Sequence, residues 1–372
     1  MVDYRPKLTD QEVLNRSRTL IAQHLPLQAD GYTCTTDNLL DVLLGVAANR
    51  GTIEAVCADW VGAPDAETIR GYLNEQLRVE DLPELEKRLN AALGQEIPPR
   101  VRCQAGDVAI DFHDRPYYGK QGQATALWVR GPARDGTTRF YRVVTAYVMR
   151  YGLRVTLVVR FVLPEQGTVQ VLKDVLDRVQ WLGIRIKRLF LDKGFAGVAV
   201  QEYLTRSGQP TVIACPIRGR QGGTRALCQG HQSYVTRYTF QSGHTTWTAH
   251  LAVCRAFTTA RRTQRMKRRA TWLIFIVIHL DLSPRHVRRL YRRRFGAVPV
   301  GCGVGRLLRT RPLSLCVAGP EFRAAERMDP SSLVVHSSTT PWRSLARCPA
   351  ASTDTVRQVH HPCAGATVWL RL

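Results

Sequence analysis

Two aspartates stand where carboxylates are costly. Asp111 lies inside the apolar run Val108-Ala109-Ile110-Asp111-Phe112, and Asp192 closes the run Arg188-Leu189-Phe190-Leu191-Asp192. A carboxylate at the end of a buried strand is expensive to desolvate unless it is paired, hydrogen-bonded or bound to a metal. Either residue alone reads equally well as a turn former. Two of them, each ending a strongly apolar strand, would meet at one spot if the strands are neighbours. Hard oxygen ligands of this kind suit Mg²⁺. Two such ions roughly 3.5–4 Å apart can activate water and stabilise the leaving oxygen in phosphodiester cleavage.

The elements that must position these residues follow from periodicity. The first ~100 residues have helical spacing: Asp37–Ala48 behind Thr35 and Thr36 as candidate caps, a short helix after Thr52, and Asp65–Leu77 with Ile69, Tyr72 and Leu73 on one face. The last two, around a tight turn, have the form of a helix-turn-helix, with an ordinary helical bundle as the alternative. After Pro98–Pro99 the pattern changes. Strands are expected at Val108–Phe112, Arg139–Met149, Leu153–Leu163, Ile184–Leu191, Thr211–Ile217 and Trp272–Leu280, with helices at Val169–Trp181 and Ala196–Thr205. Strands that first meander and then alternate with helices predict an α/β mixed sheet covered by helices. Arg218–Gly230 reads as an exposed loop, and Ser283-Pro284 as the start of a helix.

Three stretches resemble one family, the DDE transposases of the IS-four-like group of prokaryotic insertion sequences. Asp111-Phe-His-Asp-Arg-Pro-Tyr-Tyr-Gly119 is similar to its first-aspartate block. Leu189-Phe-Leu-Asp-Lys-Gly-Phe195 is similar to the second, with Gly194 allowing the turn. Leu280-Asp-Leu-Ser-Pro284 through Tyr291-Arg-Arg-Arg-Phe-Gly296 is similar to the lead-in to the third. The resemblance covers about residues 100–296. It implies a ribonuclease-H-like mixed sheet with flanking helices after a small all-α N-terminal domain. It also implies two divalent ions (Mg²⁺ or Mn²⁺) on Asp111, Asp192 and a glutamate, and hydrolysis with strand transfer at the ends of the element.

The third block departs from the pattern Tyr-x-x-Arg-x-x-x-Glu. Tyr291 and Arg294 match, but Val298 stands where the glutamate belongs, and an alkyl group cannot ligate a hard cation. From Ala297 onward the texture changes. That stretch carries seven of the twelve serines and four of the ten cysteines, has no lysine, and loses periodicity. Re-read one base out, Met328-Asp329 forces a tryptophan codon, and the codons around it permit Ala-Leu-Leu-Asn-Val-Trp-Ile, an apolar helix-like run. A frameshifted tail is therefore expected, with a natural disordered tail as the alternative. The organisation expected is 1–98 helical, 99–296 catalytic with a loop or strand insertion around 215–260, and 297–372 non-homologous. Without the third carboxylate, little or no strand cleavage is expected. A DNA-binding remnant without catalysis, able to compete with an intact transposase, is one alternative. Another is a nuclease whose third carboxylate comes from Glu202 or Asp281.

Charge points to the partner. Lys plus Arg number 53 against 30 Asp plus Glu, a formal net charge of +23, which predicts a polyanion and most simply double-stranded DNA, the element's terminal repeats and its target. Arg261, Arg262, Arg265, Lys267, Arg268 and Arg269 precede the Trp272 strand. Arg285, Arg288, Arg289, Arg292, Arg293 and Arg294 follow it. Clusters of this kind neutralise backbone phosphates. The longest apolar run, Trp272–Leu280, is too short to span a bilayer, and no targeting segment is apparent, so a cytoplasmic, nucleoid-associated protein is expected. A homodimer in the DNA complex stays open. Cys228, His231, His244 and His250 are spaced too irregularly for a zinc framework. His113, Tyr117 and Tyr118 read first as local hydrogen-bonding and core residues.

Overall fold

The computed structural model describes residues 9–49, 51–119, 127–150, 153–262 and 265–294; the side chains of 153 and 258–269 are not among those described. Five helices come first: α1 (Asp10–His24), α2 (Thr36–Asn49), α3 (Ile53–Asp59), α4 (Ala66–Gln76) and α5 (Leu82–Gln95). Their caps are local. Thr9 and Glu12 form a reciprocal capping box on α1, Thr52 accepts from the Ala55 amide, and Asp65 accepts from Glu67. Leu39, Leu40, Ile53, Val56, Ile69 and Leu73 bury the apolar faces of α2, α3 and α4 against one another.

A short helix α6 (Pro99–Arg102) leads into nine strands: β1 (Gly106–Pro116), β2 (Val129–Arg134), β3 (Thr137–Arg150), β4 (Leu153–Val162), β5 (Ile186–Leu191), β6 (Thr211–Cys215), β7 (Tyr234–Ser242), β8 (Thr245–Arg262) and β9 (Arg265–Ile278). Helices α7 (Thr168–Trp181), α8 (Val198–Arg206) and α9 (Pro284–Arg293) complete the described chain. All nine strands form one sheet, ordered β2-β3-β1-β5-β6-β9-β8-β7, with β4 also paired to β3. β1, β3 and β4 are an antiparallel meander, and β5 and β6 add parallel to β1 on its other side. The order β4-β3-β1-β5-β6 is a ribonuclease-H-like mixed sheet. The stretch expected as an insertion supplies β7 and most of β8, which extend the same sheet past β6 through β9.

Strand parity divides the core. Val108, Ile110, Leu189, Leu191, Ile213 and Ile276 face α7 and α8, where Val171, Leu172, Val175, Val179, Val200 and Leu204 close over them. Ala109, Phe190, Val212, Ala252 and Phe275 face the opposite way and are covered by Val287, Leu290 and Tyr291 of α9. β1 runs beyond the expected Phe112, and β9 begins well before Trp272. Arg218–Gly230 is less open than expected. It holds a 3₁₀ turn over Gly223–Leu227, with Thr224 buried and its hydroxyl donating to the Pro216 carbonyl at 2.8 Å.

One latch ties the helical region to the sheet. β4 lies off the main path of the sheet and pairs with β3. The amide of Asn90, on α5, accepts from the Val159 N–H at 2.9 Å and donates to the Val159 carbonyl at 2.7 Å. Glu86 accepts from the Phe161 N–H at 2.8 Å. Helix side chains thus cover backbone groups that an open strand edge would offer to another chain.

Candidate functional site

β1 and β5 are parallel neighbours with Ile110 opposite Leu191, so the next residues, Asp111 and Asp192, are adjacent across the pair. Asp111 shares the face of Ala109, and Asp192 the face of Phe190. Both carboxylates therefore stand on the side of the sheet that α9 covers, the juxtaposition the sequence expectation required.

What they meet there is Arg294. Its Nη2 lies 2.6 Å from Asp111 Oδ1 and its Nη1 3.5 Å from Asp192 Oδ1. The arginine side chain is only 1% exposed, whereas those of Asp111 and Asp192 are 19% and 31% exposed. Two further contacts fix it, and a third anchors one of its partners. Its Nη1 donates to the Tyr291 hydroxyl, which itself donates to the Leu191 carbonyl at 3.1 Å. The Tyr147 hydroxyl, from β3, donates to the Arg294 carbonyl at 3.1 Å. Burial alone would lower the Arg294 pKa; Tyr291, Asp111 and Tyr147 reverse this, holding the guanidinium above its ordinary value. Tyr291 and Tyr147 are themselves pushed up by burial.

Two further residues of the same motif take other partners. His113, one pleat along β1, hydrogen-bonds through Nε2 to Thr145 Oγ1 at 2.9 Å. Burial, only partly countered by Asp111, lowers its pKa. Asp114, within the same motif, is turned away into a bidentate pair with Arg142, at 2.7 and 3.1 Å. After Asp192 the chain makes a 3₁₀ turn through Lys193–Phe195, closed by Phe195 N–H to the Asp192 carbonyl at 3.0 Å. Gly194 matters there for space and not for a special backbone angle: a Cβ would meet Phe112 Cδ2 at 2.9 Å. Phe112 is stacked on Phe195 with centroids 4.3 Å apart, which stitches the two aspartate strands together behind the carboxylates.

The donor set fits a divalent cation only in part. Two hard-oxygen groups converge, but among the described residues no cluster of three His, Cys, Asp or Glu is present. Glu202 is committed to Arg206 at 2.6 Å, and Asp281 is exposed. A guanidinium stands between the two carboxylates. As arranged, the residues do not fit the two-ion centre that the resemblance implies. Val298 and the whole stretch after Arg294 lie outside the described residues.

The basic residues divide into groups. On α9, Arg285, Arg289, Arg292 and Arg293 are exposed along one side, opposite Val287, Leu290 and Tyr291; Arg288 is half-buried. Arg294, expected among the phosphate-binding arginines, is instead turned inward onto the aspartates. The backbone of the β8–β9 hairpin pairs Arg262 with Arg265, Arg261 with Met266, Ala260 with Lys267, Thr259 with Arg268 and Thr258 with Arg269. Six basic residues thus share one two-stranded tip, though their side chains are not described. On α4, Arg70 is engaged by Glu54 and by Glu67 at 3.1 Å. Tyr117 packs edge-on against Tyr141, and the exposed Tyr118 donates to the Asp135 carbonyl at 2.6 Å. No described helix is long and apolar enough to cross a membrane.

No family model matches the sequence, and no curated protein does. Among solved structures, the chain is similar to the piggyBac transposase in a synaptic complex with hairpin DNA. The identity is 11% and the TM-score 0.40, over 77% of this chain and 64% of that one. The chain thus spans less than two thirds of that protein, and so loose a likeness adds nothing to what the strand order already gives.

Proposed function

We propose that this chain is a DDE-type transposase of an insertion sequence, of the IS-four-like group, in a copy that holds DNA without cutting it. The observation that carries the reading is the meeting of three motif blocks far apart in the chain. Asp111, Asp192 and the Tyr291/Arg294 pair come within hydrogen-bonding reach midway along β1 and just past the end of β5. A helical bundle that merely needed a sheet beside it has no use for two adjacent carboxylates on one face. The exposed arginines of α9 and the basic tip of the β8–β9 hairpin supply charge for backbone phosphates.

Strand cleavage is not assigned to this chain, because among the described residues no third carboxylate joins the two aspartates, and Arg294 is paired with both. The test uses the full chain and duplexes carrying the ends of its own element, with Mg²⁺ or Mn²⁺. No cleavage above background is expected, together with gel-shift binding whose affinity falls steeply with salt. Robust cleavage abolished by Asp111→Asn would overturn the non-cutting reading. Failure to shift DNA at low salt would overturn the DNA-holding one.

A further inference from the structure

We propose that the cavity between the sheet and the start of α7 is a binding site for a nucleoside monophosphate. It is lined by Phe112 and Val171 and so lies on the α7 face of the sheet, the face opposite the aspartate pair. The inference does not depend on how that pair is read. The cavity holds about 480 Å³, within the range of about 300–1,000 Å³ usual for small-molecule sites. One nucleotide, not a length of duplex, is on that scale. Its wall carries planar and apolar surface. Val129, Val162, Leu163 and Val171 line it together with Phe112 and Trp128. Guanidinium groups are layered on both rings: those of Arg130 and Arg139 lie 6.0 and 5.1 Å from the Trp128 centroid, and that of Arg142 lies 5.3 Å from the Phe112 centroid. Bases stack on aromatic rings and on guanidinium planes alike.

The polar groups of the wall are donors short of acceptors. Trp128 is only 8% exposed, and its indole N–H is buried with no acceptor among the described residues. Arg130 is exposed and has no carboxylate partner among the described residues, whereas Arg142 is taken up by Asp114. Gln166 accepts from the Leu163 N–H at 3.1 Å, which leaves its own amide N–H groups to donate. Thr168 opens α7 behind Gly167, which offers no side-chain cap, so the first-turn amides add donors at the positive end of a helix. A wall of donors, positive charge and apolar planes selects an anion joined to a flat ring that carries acceptors. A nucleoside monophosphate is such a molecule: its phosphate suits Arg130 and the α7 amides, and its base suits the apolar wall. An aliphatic anion would satisfy the charge and leave the indole and Gln166 donors unmet, while the ring nitrogens and carbonyls of a base supply acceptors.

The test is equilibrium dialysis of the full chain against labelled dAMP. Wild type is expected to bind with a Kd below ~1 mM. Deoxyadenosine and inorganic phosphate, each carrying one part of the ligand, should bind at least about tenfold more weakly, the worth of one charge-assisted hydrogen bond. Arg130→Met should lose about tenfold in dAMP affinity, with an unchanged circular dichroism spectrum because the side chain is exposed. Arg206→Met removes an equally exposed charge from the last turn of α8 and should bind dAMP like wild type. A further arm identifies the source of the nucleotide. If bound DNA supplies it, a single-stranded oligonucleotide should displace dAMP from wild type; if the ligand is a free nucleotide, dAMP should bind unchanged beside the strand. Either result upholds the site. Absence of dAMP binding at ~1 mM would overturn it, as would deoxyadenosine binding as tightly as dAMP. An Arg130→Met that folds and binds dAMP like wild type would overturn it too, and the comparison of dAMP with deoxyadenosine decides even if that variant does not fold.

Discussion

Breaking the Asp111–Arg294 pair is expected to cost more than a surface ion pair and to do so non-additively. With Asp111→Asn, a guanidinium that is 1% exposed loses its nearer charge, at 2.6 Å, and keeps only Asp192 at 3.5 Å. Removing one partner from a buried ion pair costs about 3–5 kcal/mol, because the remaining charge is left desolvated. Asparagine preserves the shape and one acceptor, and Asp192 remains, so the low end, about 3 kcal/mol, applies. Arg294→Met removes the buried cation together with its desolvation penalty but leaves two adjacent carboxylates facing each other; a cost of about 2 kcal/mol is expected. In the double variant neither an orphaned cation nor a facing pair of anions remains. Its cost should fall short of the sum of the singles by about 1.5–3 kcal/mol, the upper part of the range of directly contacting groups. Urea unfolding of the four proteins, followed by circular dichroism in one buffer, gives this coupling. Costs that add to within about 0.5 kcal/mol would refute the buried triad, because independent sites behave that way.

Three further outcomes test the surroundings. Gly194→Ala drives a Cβ to 2.9 Å from the Phe112 ring and should destabilise the chain by about 1–3 kcal/mol, measured by the same unfolding, through loss of the Phe112–Phe195 stack. Asn90→Ala strips both partners from the Val159 backbone and should cost about 2–4 kcal/mol, with faster amide exchange at Val159 as its local signature. His113 is held below the ordinary histidine value by burial. A depressed pKa contributes stability that is present above the unfolded value and lost as pH falls through the folded one. Wild type should therefore lose more stability than His113→Gln between pH 7 and pH 5, and equal losses would show that His113 protonates without cost.

The residues that could be found by pattern were those whose chemistry contradicts their neighbours. A carboxylate inside Val-Ala-Ile-Asp-Phe is visible because an apolar strand has no reason of its own to carry it. The parallel pairing of β1 with β5 was not legible and entered only as a condition for the two aspartates to meet. The helix with apolar residues at Val171, Leu172, Val175 and Val179 joins β4 to β5, which the sheet separates by β3 and β1, so the crossover alone does not name the partner of β5. β7 and most of β8 were foreseen only as a loop or strand insertion around 215–260, without bounds or partners. Their alternation is interrupted by polar pairs such as Thr239 with Thr248, and their partners are fixed only by long-range pairing. The latch of Asn90 on Val159 was equally hidden, since an asparagine within a helical pattern carries no mark of a strand edge 69 residues away.

Arg294 shows where pattern reasoning fails for a physical reason. In the sequence it is one arginine among six on a basic helix, and average charge assigns all six to the same outward task. The fold separates them by helical phase. Arg285, Arg289, Arg292 and Arg293 project on the side opposite Val287, Leu290 and Tyr291, while Arg294 follows the buried row, three residues on from Tyr291. A cation in a buried row persists only where anions await it, and the two carboxylates that cost so much in their own strands are those anions. The anomalies in three separate stretches therefore explain one another: each charge would be a liability alone, and together they form a compact cluster with one net negative charge. The guanidinium that offsets one of the two carboxylates also occupies the point between them, so the chemistry the motifs suggest and the arrangement the chain adopts are alternatives, separated by the position of one guanidinium.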